Sequence, residues 1–268
     1  MAQPVYVKRL ESILSAHTST FGFCSFDSLR GSLIECRALK RIPDNAQGVI
    51  TVLFPYYLGD EKYKNANISR YACVADYHSV AAGILDKICA DLRSEWQDEA
   101  FEPFVDNSPI PEVRAAALSA LGRVGKNGLL INEKYGSWVF VGEIVTTLRL
   151  ENSGEICSCD ECGLCIKKCP TGALSDSGVD KSRCLSDITQ RKGELSDEER
   201  SLIKQSGCVW GCDVCQLVCP HNRGVEITDI DEFIRSFSPV ADANNLDGKA
   251  YGWRGRAVIQ RNMQLLED

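Results

Sequence analysis

The sequence predicts a mixed fold, α/β in its first part and α+β over the whole chain, and three patterns support this prediction. Apolar runs rich in β-branched residues alternate with amphipathic helical segments over roughly the first 150 residues, as in α/β domains. A cysteine-dense region then runs from Cys157 to about Asn222. Beyond it, a helical pattern and the basic residues Arg254, Arg256 and Arg261 predict a helical tail.

Periodicity and turn residues define the individual elements. The run from Gly48 to Pro55 is apolar and β-branched and is stopped by proline, which is typical of a buried strand. Ser196-Asp-Glu-Glu199 has the form of a capping box and predicts a helix that ends near Gly207. Further strands are predicted at Phe21–Phe26, Phe101–Val105 and Trp138–Leu148. Further helices are predicted at residues 5–17, 77–96 and 229–237, and through Ala115, Leu118 and Leu121 up to Gly122.

These elements suggest three consecutive domains. Residues 1–150 are expected to form the α/β domain, with loops at strand ends available for a ligand. Residues 151–225 form the cysteine-rich domain, which begins near the polar stretch Asn152–Gly154. Residues 226–268 form a helical tail that packs on the core.

Composition excludes several classes of protein. A formal charge of −7 argues against broad, non-specific binding of nucleic acid. Residues 1–14 carry Lys8, Arg9 and Glu11 and lack the apolar run of a signal peptide, and no stretch approaches the ~18 apolar residues of a membrane span. Fourteen cysteines without an export signal indicate metal ligation in a reducing cytoplasm and not a disulfide framework. We therefore expect a cytoplasmic protein with no membrane partner.

Two cysteine blocks carry the clearest chemical signal. They are Cys159-x2-Cys162-x2-Cys165-x3-Cys169-Pro170 and Cys212-x2-Cys215-x3-Cys219-Pro220. The first has the spacing of bacterial ferredoxins, in which three cysteines bind one [4Fe–4S] cluster and the fourth binds the other cluster. The blocks therefore predict a ferredoxin-like domain with two [4Fe–4S] clusters. Zinc is the alternative metal, because paired C-x2-C units also bind zinc.

Two clusters need eight thiolates, and the two blocks supply seven. Cys184 lies between the blocks and is favoured as the eighth ligand, with Cys208 as the alternative. Cys157 would crowd the turn at Cys159. The crossover rule then assigns the clusters to two sets, Cys159, Cys162, Cys165 and Cys219, and Cys169, Cys184, Cys212 and Cys215. We expect Cys24, Cys36, Cys73 and Cys89 to be free, buried thiols.

Specific strings along most of the chain are similar to those of the epoxyqueuosine reductase family. They are Pro43–Tyr57, Ile68-Ser-Arg-Tyr71, Asp76-Tyr-His78, Phe104-Val-Asp106, Val124-Gly-Lys-Asn127, Tyr135-Gly-Ser-Trp138, Gly142-Glu143, Arg183-Cys184 and Gly211–Pro220. The family reduces epoxyqueuosine in tRNA to queuosine and is related to cobalamin-dependent reductive dehalogenases. Its longer members continue into helical repeats that hold tRNA, and this sequence resembles only the entry to them, at Arg254–Asn262.

The resemblance implies cofactors and partners. The first domain would bind cobalamin without a histidine on cobalt, and the two clusters would deliver electrons from a donor of ferredoxin or flavodoxin type. The implied partners also include the anticodon loop of a tRNA, and the protein is expected to be a monomer. The implied cofactor contacts are Tyr71, Asp76, His78, Lys126, Asn127 and Trp138. For Lys126 and Asn127 an ordinary turn is the alternative, and for Asp76 a helix cap.

The resemblance also implies that Asp106 is the proton donor to the substrate. A carboxyl group at the end of a buried strand is expected to have a raised pKa and so to keep a proton near neutral pH. The alternative is structural, because Asp-Asn-Ser-Pro is ordinary turn chemistry.

Two functions from different classes follow. The first is an oxidoreductase of the epoxyqueuosine reductase type, acting on tRNA or on a related, non-tRNA substrate. The second is an electron-transfer or corrinoid-reducing protein without substrate chemistry of its own. Asp106 distinguishes them, because only the enzyme needs its carboxyl group.

Overall fold

The computed structural model describes residues 5–267. Residues 1–4 and Asp268, the outer ends of the predicted first domain and of the predicted tail, lie outside the described residues, as does the start of the segment considered for a signal peptide. None of the helices within residues 5–267 combines the length and the apolar character that a membrane crossing requires.

Short strands and helices alternate along the chain. The strands are β1 (Phe21–Ser25), β2 (Gly48–Pro55), β3 (Phe101–Val105), β4 (Arg123–Val124), β5 (Leu130–Ile131), β6 (Val139–Thr146), β7 (Leu174–Ser175) and β8 (Gly178–Val179). The α-helices are α1 (Val5–Leu14), α2 (Asp27–Arg30), α3 (Tyr77–Glu95), α4 (Glu112–Leu118), α5 (Leu164–Lys168), α6 (Leu185–Gln190), α7 (Asp197–Ser206), α8 (Val214–Leu217), α9 (Asp231–Arg235) and α10 (Arg256–Glu267). Single 3₁₀ turns cover Arg37–Arg41, Asp60–Tyr63, Arg70–Cys73, Lys181–Arg183, Pro220–Asn222 and Gly252–Arg254.

One compact unit contains the main sheet. It comprises the chain up to Phe54, His78–Val124 and Phe140–Cys157. The four-stranded sheet has the order β1-β2-β6-β3, with β1 antiparallel to β2 and β3 antiparallel to β6. In the β3–β6 pair Phe104 lies opposite Glu143, so the sheet carries an acidic residue directly across from an aromatic core residue.

The core of this unit is apolar and tightly packed. Its buried cluster consists of Cys24, Phe26, Leu29, Ala46, Val49, Phe104, Ile110, Ala115, Leu118 and Val145. α4 packs so closely on β1 that a Cβ added at Gly22 would lie 2.0 Å from the carbonyl oxygen of Ser119. Glycine is therefore required at this position of β1.

The second unit contains the cysteine blocks. It comprises Pro55–Tyr77, Gly125–Val139 and the chain from Ser158 onward. Here α10 packs on α6 and α7, and Leu185, Ile188, Leu195, Ile203 and Leu265 form the buried contact. The side chain of Asn262 donates hydrogen bonds to the carbonyl oxygens of Thr189 (2.7 Å) and Val209 (2.8 Å), so the C-terminal helix is fixed by polar contacts as well.

The two units do not coincide with three consecutive domains. Residues 55–77 and 125–139, predicted within the first domain, group with the cysteine-rich region. One reason is a backbone connection, because Val209 N–H donates to the carbonyl oxygen of Asn67 (2.6 Å) and Ile68 bridges to Trp210. The three-domain division was predicted from the order of segments along the chain, and that order does not reveal pairing between residues far apart in sequence.

Most predicted elements agree with the structure. β2 and β3 have the predicted bounds, and the predicted capping box is present at Ser196 and Glu199, with Gly207 ending α7 in the left-handed region at φ 65°. The predicted mixed α and β fold is confirmed. α1 ends at Leu14, three residues earlier than predicted. The sequence analysis missed α5, α6 and the β7–β8 hairpin.

Candidate functional site

Four cysteines of the two blocks surround one cavity. Cys159, Cys162 and Cys165 come from the loop before α5 and from its first turn, and Cys219 follows α8. The cavity encloses about 380 Å³ of atom-free space, part of it open to solvent. α5 packs on α8, which brings the distant Cys219 to the first block. The grouping has the composition of the first predicted cluster set.

Backbone geometry shapes this cavity. Glu161 and Gly163 have φ angles of 53° and 71°, so the chain turns sharply between successive cysteines. The cavity is also lined by Gly125, Lys126, Asn127, Ile131 and His221. Lys126 lies 3.8 Å from Glu161 and forms a second ion pair with Asp176. A cation therefore lies beside thiolates that would carry negative charge.

The thiols of the second predicted set, Cys169, Cys184, Cys212 and Cys215, influence one another through their charges. Burial, together with the charges of Asp213, Cys184 and Cys169, raises the pKa of Cys212 to about 11. Burial raises the pKa of Cys215 to about 12, with Cys212 and Cys184 adding to the shift. Such interactions weaken with distance, so Cys212 is near enough to Cys169 and Cys184, and Cys215 to Cys184, for their charges to act.

The two alternative ligands are placed differently. The Cys208 thiol donates a hydrogen bond to the Trp210 carbonyl oxygen (3.2 Å), and burial raises its pKa to about 12. Cys157 is exposed and belongs to the unit that contains the main sheet. All fourteen cysteines lie within the described residues, and none forms a disulfide there.

The donor set and the cavity fit iron–sulfur cubanes. A zinc ion requires its ligands at about 2.3 Å for sulfur, whereas a cubane occupies the space between its four thiolates. Four thiols around a cavity provide the arrangement that a larger inorganic group needs.

A separate site lies at the end of β3. Asp106 and Asn107 have φ angles of 47° and 36°, in the left-handed region that non-glycine residues adopt rarely. Asp106 Oδ2 lies 3.0 Å from Nε2 of His78 on α3. Glu112, in the first turn of α4, accepts a hydrogen bond of 3.1 Å from the backbone N–H of Asp106. The loop is thus held from two helices.

Asp106 is not the buried carboxyl group that the sequence predicted. Its side chain is 55% exposed, so the expected desolvation is wrong for this residue. The carboxyl groups behind it are the desolvated ones. Burial and the charge of Asp106 raise the pKa of Glu112 to about 7, and burial raises that of Glu143 well above its ordinary value. The strand pattern alone did not reveal that Asp106, the residue directly after β3, is exposed to solvent.

The predicted cofactor contacts in the second unit have defined partners. Tyr71 accepts a hydrogen bond from the Trp210 indole (2.7 Å), and burial raises its pKa. Asn127 is buried and its side chain hydrogen-bonds the Cys215 thiol. Asp76 directly precedes α3, and its backbone N–H donates to the Gly248 carbonyl oxygen (2.8 Å).

Among the predicted cofactor contacts, Trp138 has a buried polar atom that forms no hydrogen bond within the described residues. It is buried, and its indole nitrogen has no hydrogen-bond partner among the described residues. Its ring stacks on Tyr57 at a centroid distance of 6.0 Å, and the Arg70 guanidinium lies 4.7 Å from the ring centroid. The sequence analysis did not single out Arg70. A lone arginine carries no pattern from which this aromatic cage could have been predicted.

One of the predicted buried thiols is also placed differently. Cys24, Cys73 and Cys89 are buried, as expected, but Cys36 is partly exposed. Its thiol lies 3.6 Å from the Asn107 carbonyl oxygen and donates to it. Cys36 directly precedes the 3₁₀ turn Arg37–Arg41, in which no residue is buried.

Residues 37–107 match the model described as epoxyqueuosine reductase QueG, DUF1730, and residues 158–222 match the 4Fe-4S double cluster binding domain. An epoxyqueuosine reductase of Lactococcus garvieae is 36% identical over 217 residues, which are 75% of this chain and 61% of that protein. The chain spans between about half and three fifths of the length of this and the next two curated relatives.

Solved structures agree. An epoxyqueuosine reductase with an epoxyqueuosine-modified tRNA-Tyr stem loop has a TM-score of 0.81 and 25% identity, covering 97% of this chain and 80% of that one. The Bacillus subtilis epoxyqueuosine reductase, with the catalytic loop of an aspartate swung out of the active site, has a TM-score of 0.79 and 26% identity, with the same coverage. With the cysteine cavity and the Asp106 loop described, this chain is similar in sequence and in structure to epoxyqueuosine reductases.

Proposed function

We propose that the protein is a cobalamin- and iron–sulfur-dependent oxidoreductase that reduces epoxyqueuosine in tRNA to queuosine. The observation that carries this proposal is the match of residues 37–107 to the epoxyqueuosine reductase model, which reaches Asp106. The cavity lined by Cys159, Cys162, Cys165 and Cys219 supports it. The tRNA substrate is inferred from a relative that binds an epoxyqueuosine-modified stem loop.

The proposed ligands of the clusters follow the two thiol groups. Cys159, Cys162, Cys165 and Cys219 would hold one cluster, and Cys169, Cys184, Cys212 and Cys215 the other. Cys184 is preferred to Cys208 because its charge acts on both Cys212 and Cys215. The clusters would pass electrons inward from a ferredoxin or flavodoxin. We place the reaction in the cytoplasm, where reducing conditions keep thiols free.

Cobalamin, when bound, would supply a strongly reduced cobalt centre for cleavage of the substrate carbon–oxygen bond. The unpartnered indole N–H of Trp138 fits a ligand rich in amide acceptors, such as a corrin ring with its side chains. The other proposed contacts are Tyr71, Asp76, His78, Lys126 and Asn127. A protein monomer would suffice for this chemistry.

Asp106 would act as the proton donor. Its carboxyl group is half exposed at the end of β3 and can therefore meet a substrate that approaches from solvent. The hydrogen bond to His78 and the backbone bond to Glu112 orient the loop. In the reaction Asp106 would give its proton to the oxygen of the carbon–oxygen bond that is cleaved, which becomes a hydroxyl group.

Complementation tests this proposal directly. The chain is expressed in a bacterial strain that lacks its own epoxyqueuosine reductase, and queuosine is measured in its tRNA by mass spectrometry. Restoration of queuosine is the expected result, and the Asp106→Asn variant should not restore it. Purified protein that binds cobalamin and both clusters but restores no queuosine would instead favour a corrinoid-reducing or electron-transfer protein.

A further inference from the structure

The loop that carries Asp106 has an unfavourable backbone conformation. Asp106 and Asn107 have φ angles of 47° and 36°, and two successive non-glycine residues in the left-handed region carry strain that other contacts must offset. One such contact is local, because Oδ1 of Asp106 accepts a hydrogen bond of 2.7 Å from the Asn107 N–H. This bond lies within the loop, so contacts with the rest of the protein must fix where the loop lies.

Ser108, the residue after this strained pair, connects the loop to the main sheet. It is buried, and its hydroxyl accepts a hydrogen bond of 3.1 Å from the backbone N–H of Ile110. The same hydroxyl donates a hydrogen bond of 3.2 Å to Oε2 of Glu143. The first bond closes a tight turn within the loop, and the second reaches β6, an interior strand of the sheet. One hydroxyl group thus joins the turn to the sheet.

Glu143 holds this hydroxyl where solvent does not compete for it. Glu143 is 0% exposed, so a hydrogen bond to its carboxyl group is made in a medium of low dielectric constant. Its Oε1 has no hydrogen-bond partner among the described residues, which leaves the Ser108 hydroxyl as the donor that satisfies this carboxyl group. Without that hydroxyl a whole carboxyl group would be buried and unpaired, which is costly. The contact is therefore strongly favoured in the folded protein.

Two helices hold the other side of the loop. The backbone N–H of Asp106 donates to Oε1 of Glu112 at 3.1 Å, and Oδ2 of Asp106 lies 3.0 Å from Nε2 of His78. These contacts fix Asp106 itself, whereas the Ser108 bond fixes the chain that follows it. A displacement of about 1 Å in a reacting group can lower a rate about 100-fold, so both sides of the loop matter for proton donation.

We propose that Ser108 and Glu143 are positioning residues that hold the Asp106 loop in the orientation needed for proton donation. This proposal rests on the proposed function of Asp106. Neither residue gives or takes the proton, because both act on Asp106 through the backbone of the loop. The acceptor oxygen of Glu143 is the feature that the contact requires. A side chain of similar size with a neutral acceptor should therefore replace it.

Hydrogen exchange tests the hold on the loop without substrate turnover. In Ser108→Ala the backbone amides of Asp106 and Asn107, whose own acceptors remain, should exchange at least about tenfold faster than in the wild type. Ser119→Ala is the matched control, because it removes another buried hydroxyl group, which donates to Thr51 at 3.0 Å. It should leave the exchange of these amides unchanged. Unchanged exchange in Ser108→Ala would overturn the proposal.

Turnover of epoxyqueuosine by the protein with its cofactors tests the consequence for the reaction. In Ser108→Ala kcat should fall about tenfold while KM stays unchanged, since the proton donor is misplaced and substrate binding is not. Glu143→Gln keeps an acceptor and should keep the wild-type kcat. Glu143→Val has a similar volume without an acceptor and should lose as much as Ser108→Ala.

The outcomes separate this proposal from the proposed function. Full activity of Ser108→Ala would show that the bond is dispensable, and equal losses in Glu143→Gln and Glu143→Val would show that the acid itself is required. Either result would contradict the positioning role. A wild-type protein that never converts epoxyqueuosine would instead refute the proposed function, and the exchange measurement would still decide whether Ser108 and Glu143 hold the loop.

Discussion

Nε2 of His78 lies 3.0 Å from Oδ2 of Asp106, and this contact joins the first turn of α3 to the loop after β3. Both partners remain partly open to solvent, with side-chain exposures of 43% and 55%. The loop also carries two successive residues with positive φ, so its conformation depends on the contacts around it. The carboxyl group is thus presented outward in a fixed orientation.

The first prediction concerns this carboxyl group. Asp106→Asn keeps the size of the side chain but removes the acidic proton, so turnover of epoxyqueuosine should fall by at least about 100-fold. The visible absorption of the iron–sulfur clusters should not change. The measurement is queuosine formation with purified protein and a chemical reductant. Asp86→Asn on the exposed face of α3 is the matched control and should retain activity.

The second prediction distinguishes the two candidates for the eighth cluster ligand. Cys184→Ser should reduce the iron and sulfide content by about half, because one of two cubanes loses a thiolate. Cys208→Ser should retain full content, since the Cys208 thiol is already bonded to the Trp210 carbonyl group. Iron analysis and electron paramagnetic resonance of the reduced protein provide the measurement. The reverse pattern would assign the ligand to Cys208.

The third prediction is a pH dependence of stability. The pKa of Glu112 is about 7 in the folded protein, against an ordinary value of 4.5 that applies on unfolding. The folded state therefore binds more protons between these values, so Glu112 makes the protein less stable as the pH rises from 4.5 towards 7.

Glu112→Gln should remove this dependence. The ratio of the unfolding constants of wild type and variant should change by up to about tenfold per pH unit within that window. Denaturant titrations at pH 5 and pH 8 measure it, with Glu151→Gln as the control. Parallel behaviour of Glu112→Gln and wild type over this range would show that Glu112 has an ordinary pKa.

The fourth prediction concerns Arg70, whose side chain is only 11% exposed. Its guanidinium lies over the rings of Tyr63 and Trp138, each at 4.7 Å, and its Nη2 donates to Asp60 at 2.8 Å. A lysine lacks the planar group that stacks between these rings. Arg70→Lys should therefore lower the free energy of unfolding by about 1–2 kcal/mol.

Arg235→Lys serves as the control for this change. Arg235 is exposed and pairs with Asp231 one turn away on α9, so its replacement should alter stability by less than about 0.5 kcal/mol. Thermal unfolding followed by circular dichroism measures both variants. Equal effects of the two substitutions would show that the aromatic cage contributes nothing beyond an exposed ion pair.

The sequence predicts those elements of the structure that depend on residues close together in the chain. β2 and β3 follow from apolar, β-branched runs with clear stops, and the α7 capping box involves residues only three positions apart. The grouping of Cys219 with the first block follows from ferredoxin spacing, because that spacing reflects cluster geometry.

Features that depend on long-range packing were not predictable in this way. Glu143 sits in an apolar strand, and nothing in its neighbours along the chain marks it as fully buried. The partners of Arg70 come from residues 57–63 and from Trp138, which are far apart in sequence. The exposure of Asp106 depends on where β3 ends relative to α4, which residue types alone do not fix.

Each unit consists of several separate stretches of the chain, so a fragment with only the ferredoxin-like part would lose residues that support it. A fragment spanning residues 158–222 would lose Asn127, whose side chain contacts the Cys215 thiol, and the Asn67 carbonyl group that accepts from Val209. It would also lose Ser69, whose hydroxyl lies 2.0 Å from the position of a Cβ at Gly211. The cluster-binding segment therefore cannot be transferred on its own. Residues that support it, Asn67, Ser69 and Asn127, lie far upstream of its first cysteine, Cys159.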